Sequence, residues 1–156
     1  MAALRYISGS VTQGGADAFA IASIATALAG ATRQAYRIRE LEFEIPRPMV
    51  NVINSNVEVA LSRRTKTAMP VITDVDVLKK IKVCAEFTTS GAQNAESVFR
   101  FAYAEDEDLL VVEDPLYLMV DSLSTTLTQT VYCRIGYEVT TISEVDRLTL
   151  LTQSLL

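Results

Sequence analysis

The apolar residues of this chain fall, almost throughout, at every second position in short runs separated by turn residues. That period matches a β-strand, whose side chains alternate between two faces, and it excludes a chiefly helical fold. The segment 35–45 (AYRIRELEFEI) shows it most plainly. Tyr36, Ile38, Glu40, Glu42 and Glu44 face one way; Arg37, Arg39, Leu41, Phe43 and Ile45 face the other. The apolar side changes over near Glu40 and Leu41, which predicts a bulge or a passage between two packing environments. Pro46 and Pro48 then end the strand, because proline cannot donate to a sheet ladder.

The same alternation runs through 4–11, 56–63, 78–88, 98–104, 109–112, 116–120 and 128–140. Segment 56–63 sets Val57, Val59 and Leu61 against Glu58, Ala60 and Ser62, and 98–104 sets Phe99, Phe101 and Tyr103 against Val98, Arg100 and Ala102. The last long run sets Val131, Cys133, Ile135, Tyr137 and Val139 against Tyr132, Arg134, Gly136 and Glu138. Turns fall at Gly14-Gly15, at Ser90-Gly91 and at the acidic run Glu105-Asp106-Glu107-Asp108.

Segment 17–29 reads two ways. Asp17 as N-cap, an Ile21/Ile24/Leu28 stripe and Gly30 beyond the end suit a helix. The flanking strands suit an additional strand with Phe19 and Ile21 turned inward and the alanines outward, and this is the reading preferred. At the other end, Ser143 and Asp146 stand at capping-box spacing and predict a short helical turn opening an apolar tail over 142–156. Seven or eight antiparallel strands in a single domain of 156 residues are compatible with a β-sandwich, a jelly roll or a closed barrel.

The chain contains no histidine and no tryptophan. Without histidine there is no Ser–His or Cys–His pair, no proton shuttle of ordinary pKa near neutrality and no His-built zinc, iron or copper site. Phosphate-loop and dinucleotide glycine patterns are missing as well. Catalytic cupins rely on histidine metal ligands, and lipocalins open on a glycine–x–tryptophan motif, so neither fits this chain. Asp74 and Asp76 share one loop, but nothing in their surroundings marks them as a hydrolytic pair. The acids Glu105, Asp106, Glu107 and Asp108 are a candidate calcium cluster, set against the simpler reading of a solvated hairpin tip. Cys84 and Cys133 lie inside strands and not in a CxxC pair, which predicts two buried free thiols. No enzyme activity and no cofactor is expected.

Hydrophobic residues make up 49% of the chain and its mean hydropathy is +0.24, yet no run reaches membrane-spanning length. Surplus apolar surface of this kind predicts contacts between copies. The leucines Leu148, Leu150, Leu151, Leu155 and Leu156 of the tail and the loops 46–53 and 64–76 are the expected contact elements. Net charge is −5 and the basic residues come in short clusters, so nucleic-acid contact is not expected. One cluster, Arg63, Arg64 and Lys66, is expected at an interface, where it would meet the acids 105–108 of a neighbour. The first residues (MAALRY) lack the basic and apolar regions of a secretory signal, which predicts synthesis and assembly in a cytoplasm.

Over residues 4–140 the order and lengths of the strands resemble the single jelly-roll capsid proteins of icosahedral viruses. The resemblance is carried mostly by 109–140 (LLVVEDPLYLMVDSLSTTLTQTVYCRIGYEVT), which looks like the last two long strands of such a roll, with 121–129 crossing between sheets. It implies a structural virion protein, major or minor, that self-assembles in the host cytoplasm and contacts other virion proteins. Many such proteins carry a basic amino-terminal arm, and its lack here favours shells whose protein does not coat the genome, such as phages with an inner membrane. A decoration protein on a tailed-phage head is equally compatible. The alternative class is a non-viral β-sandwich that binds a ligand or glycan.

Overall fold

The computed structural model describes residues 3–28, 33–46, 55–84, 97–104, 107, 109–123, 125 and 127–153. It contains nine strands, β1 (Arg5–Thr12), β2 (Ala20–Ile24), β3 (Gln34–Ile45), β4 (Asn56–Ser62), β5 (Val77–Cys84), β6 (Ser97–Ala102), β7 (Leu110–Val111), β8 (Leu116–Leu123) and β9 (Thr130–Thr141), followed by helix α1 (Glu144–Gln153). All strand pairs are antiparallel. One sheet has the order β1-β9-β3-β6, with the short β7 continuing beside β3 where β6 stops; the other has the order β2-β8-β4-β5. Counting β6 and β7 as one interrupted strand, this is the eight-strand, double Greek-key arrangement of a jelly roll. The sandwich and jelly-roll expectation holds.

Alternation places the core between the two sheets. Phe43, Leu41 and Ile45 of β3 meet Val57, Val59 and Leu61 of β4, and all six are fully buried. The change of face foreseen in β3 is a bulge: register with β9 slips between Ile38 and Glu40, leaving Arg39 as the extra residue. Tyr36 and Ile38 point inward before the slip, and Leu41, Phe43 and Ile45 after it. The freed Arg39 backbone carbonyl accepts the Tyr103 N–H at 2.8 Å, and Ile38 N–H donates to Leu109 at 3.0 Å. The β6–β7 interruption therefore sits opposite the bulge. A second slip in the β4–β5 register, between Leu61 and Ser62, lets both Leu78 and Val83 pack on the core.

Two expectations need correction, and a third, the helical start of the tail, holds and extends further. Among the described residues of the 17–29 segment, 17–28, the strand covers only β2, and its inward residues are Ala20, Ala22 and Ile24, while Ile21 is exposed. The small residues point inward here because β1 passes close by. Cys84 is exposed near the end of the outer strand β5, and only Cys133 is buried. Burial pushes the Cys133 thiol up to about 12. The helical turn near the end is a ten-residue helix, capped as foreseen by Ser143, whose hydroxyl accepts the Asp146 N–H at 3.1 Å. None of its described residues is buried.

The close approach of β1 gives a direct prediction. A Cβ on Gly9 would stand 2.5 Å from Ile24 Cγ1, and Ile24 is itself fully enclosed. Gly9→Ala is expected to destabilise by about 1–3 kcal/mol through overpacking, read as a lower urea midpoint. An unchanged midpoint would mean that β2 moves freely away from β1.

Candidate assembly surfaces

The loop 63–76 leaves β4 and returns into β5, and its neck is closed by Arg63 N–H donating to the Asp76 carbonyl at 2.9 Å. Ser62 Oγ accepts the Arg64 N–H at 3.2 Å just below it. Inside the loop Lys66 Nζ bridges two carboxylates, Asp74 at 2.9 Å and Asp76 at 2.7 Å, and Arg64 reaches Asp76 at 3.5 Å. Asp76 N–H donates to Asp74 Oδ1 at 3.0 Å, and Lys80 Nζ of β5 donates to the Pro70 carbonyl at 2.9 Å. Arg63 turns the other way, donating to the Leu110 carbonyl at 3.0 Å and standing 3.8 Å from Glu113. The structure thus brings the basic cluster Arg63, Arg64 and Lys66 together with Asp74, Asp76 and Glu113 of the same chain. Asp74 and Asp76, weighed as a hydrolytic pair, serve as the two jaws on Lys66.

The strap formed by these charges is expected to respond to pH. Hydrogen bonding from Lys66 holds the Asp74 carboxyl below its ordinary value of 3.8, and bonds to Asp76 and then Asp74 hold Lys66 above 10.5. A carboxyl with a lowered folded value stabilises above its ordinary pKa and loses that contribution as pH falls. An ammonium with a raised value stabilises below its ordinary pKa and loses that contribution as pH rises. The strap is therefore expected to be intact between about pH 4 and 10 and to loosen outside that window. Urea midpoints across this range, compared between wild type and Lys66→Met, test it. The variant is expected to lose the decline above about pH 10, and parallel curves would refute the assignment.

Of the acidic run, Glu107 alone lies within the described residues; Glu105, Asp106 and Asp108 lie outside them. The Glu107 carboxylate accepts the Ala104 N–H at 3.2 Å, so it closes its own turn at the β6–β7 interruption. Among the described residues no group of three or more histidine, cysteine, aspartate or glutamate side chains is arranged to hold a metal ion.

In α1, Val145 and Leu148 are exposed, and Leu150 and Leu151 are half-buried; Leu155 and Leu156 fall outside the described residues. Between the helix and the sandwich lies a cleft of about 620 Å³ lined by Leu28, Val112, Pro115, Tyr117 and Leu151, with Arg63, Arg64 and Arg147 among its polar residues. No helix among the described residues is long and apolar enough to cross a membrane.

A polar network escaped sequence reasoning. Gln13, Ser122, Thr125 and Gln129 are all buried where the loop after β1 meets the crossing from β8 to β9. Gln13 accepts the Gln129 N–H at 2.9 Å and donates to the Ala18 carbonyl at 2.7 Å. Asp17 accepts the Thr125 N–H at 3.0 Å. The only trace in the sequence is a handful of polar residues next to strand ends, which any loop offers.

No family model matches the chain, and no curated protein matches it. Among solved structures, a chain of Tomato aspermy virus aligns over 86% of this chain and 77% of its own length, at 16% identity and a TM-score of 0.48. Turnip yellow mosaic virus aligns over 92% and 96% at 11% identity and a TM-score of 0.38. Desmodium yellow mottle tymovirus aligns over 92% and 84% at 14% identity and a TM-score of 0.37. These are plant viruses, and they lend no support to the phage part of the expectation. The fold stands on the strand order itself.

Proposed function

We propose that this chain is a structural protein of a virion that assembles with copies of itself into a shell, with its contacts on loop 63–76 and helix α1. The observation that carries the reading is the exposed apolar side chains on two elements outside the sheets. Val71, Ile72 and Val75 on the loop and Val145 and Leu148 on the helix are exposed, in addition to Ile21, Val98, Leu123 and Leu127 on or beside the strands. Apolar side chains on two protruding elements of a sandwich mark contact surfaces. The pairing of basic side chains supports a shell protein that leaves the genome to others. Arg39, Arg63, Arg64, Lys66, Lys80, Lys82, Arg100, Arg134 and Arg147 each face a carboxylate of the same chain. Decoration of a phage head, assembly in the host cytoplasm and contact with other virion proteins are finer versions of the same proposal.

Size-exclusion chromatography with light scattering, followed by electron microscopy of the largest species, tests it. Trimers, pentamers or closed shells are expected. A protein that stays monomeric at every concentration would overturn the reading. The second reading, a glycan-binding module, is favoured by one feature. An open cleft of about 380 Å³ on the outer face of the first sheet offers Ser8, Ser10, Tyr132, Glu42 and Glu44. A monomer that binds a glycan array through Tyr132 would establish that alternative.

A further inference from the structure

We propose that Lys79 keeps the β5 rim of the sandwich from adding a strand, so that copies of this chain do not join edge to edge there. A contact that the chain refuses stands apart from the assembly reading above and holds with or without it.

The two rims of the sandwich are built differently. At one, β1 and β2 lie side by side, with Gly9 against Ile24. At the other, β5 ends the second sheet while β6 and β7 end the first. The β6 side stops short of offering a long edge, because its ladder breaks opposite the Arg39 bulge and only the two residues of β7 follow. β5 is different. Past its own bulge at Leu78 it runs regularly from Lys79 to Cys84, and among the described residues it pairs with β4 alone. The backbone groups on its outer side are a template for an incoming strand unless the chain opposes one.

Three lysines lie on this strand, and they do not point the same way. Lys80 and Lys82 face outward, where Glu58 pairs with both. Lys79 stands opposite Leu61, a fully buried core residue, on the side from which Ile81 and Val83 pack inward. Its ammonium reaches across the gap between the sheets and sits 3.9 Å from the centre of the Phe101 ring on β6. Alternation would place an apolar side chain here, and the chain places a charge at the mouth of its core.

In the single chain this arrangement is favourable. Lys79 is half-buried, so its methylenes cover the rim and its ammonium keeps water while meeting the ring. A strand added to β5 would extend the second sheet over the mouth and shut the ammonium away from water. The lost hydration outweighs the ring contact. Where the added strand is β5 of a second copy, a second Lys79 arrives at the same rim and like charges oppose the joint further.

Three variants of the full chain test this: Lys79→Val and Lys79→Met remove the charge, and Lys79→Arg keeps it. Light scattering reads association, urea midpoints read the fold, and hydrogen exchange of the β5 amides reads the route. Both apolar variants are expected to associate at a concentration lower than wild type by a factor on the order of ten or more. The β5 amides that do not bond to β4 are expected to exchange more slowly in the associated species, and Lys79→Arg is expected to match wild type. A lysine that served only the stability of the single chain would move the midpoint and leave those amides unprotected. If Lys79→Val lowers the midpoint, the unbranched Lys79→Met carries the test. Apolar variants that associate no more readily than wild type, or that leave the β5 amides exposed, would overturn the proposal. Protection of the same amides in associated wild type would overturn it as well, since the rim would then be a contact in use.

Discussion

Phe43→Ala is expected to lower stability by about 3–5 kcal/mol, a large share of the roughly 5–15 kcal/mol that holds a domain of this size together. Phe43 lies near the end of β3, fully buried, with the Phe101 ring edge-on at 6.4 Å. Its neighbours across the ladders are Cys133 on β9 and Phe99 on β6. Truncation removes the apolar contacts of the ring and leaves a cavity between two sheets that cannot close around it. The adjacent thiol supplies a second readout besides the urea midpoint. In the wild type, a thiol reagent is expected to label exposed Cys84 at once and buried Cys133 only on unfolding. In the variant the slow phase is expected to quicken in proportion to the unfolded fraction. An unchanged midpoint together with a protected Cys133 would show that this part of the core repacks without loss.

Arg63→Ala is expected to cost about 3 kcal/mol, the lower end of the range for breaking a buried ion pair. The Arg63 and Glu113 side chains are only 15% and 10% exposed, and Glu113 Oε1 has no hydrogen-bond partner besides facing this guanidinium. Loss of the arginine leaves a buried carboxylate that retains only the Val112 N–H, at 3.0 Å. The expense lies in the orphaned charge, so adding Glu113→Gln is expected to restore most of the lost stability. Additive losses in the double variant would refute the coupling. Charge reversal at Arg63 is accordingly a poor probe of assembly. A glutamate there would face Glu113 and weaken the fold itself, whereas changes at Ile72, Val75 and Leu148 touch side chains that the single chain leaves exposed.

Elements that obey local rules were legible in the sequence. The change of face in β3 followed from the order Tyr36, Ile38, then Leu41, Phe43, Ile45, and it proved to be the Arg39 bulge. The Ser143 cap followed from capping spacing. The crossing at 121–129 came from the resemblance alone, and its start lies later because β8 runs on to Leu123. Distant meetings were not legible. Ile21 belonged inward on hydrophobicity alone, and only the passage of Gly9 against Ile24 explains why alanines took that face. The basic cluster Arg63, Arg64 and Lys66 was read as an interface element from its charge alone. The partners the structure gives it, however, are Asp74, Asp76 and Glu113, which turns of backbone and not sequence spacing deliver. Gln13 and Gln129 meet across a separation of 116 residues, and no local pattern encodes such a pair.

The position of β9 has a consequence for how the chain becomes a protein at all. It lies between β1 and β3, which do not touch each other in the ladder, and its residue Tyr137 pairs with Arg5 near the other end of the chain. Until this late strand leaves the ribosome, the first sheet is two separated pieces with open edges. The first sheet therefore closes only once β9 has joined β1 and β3, and folding should be slow for a domain of this length because its contacts are so distant in sequence. A nascent chain lacking β9 has no finished sandwich to present.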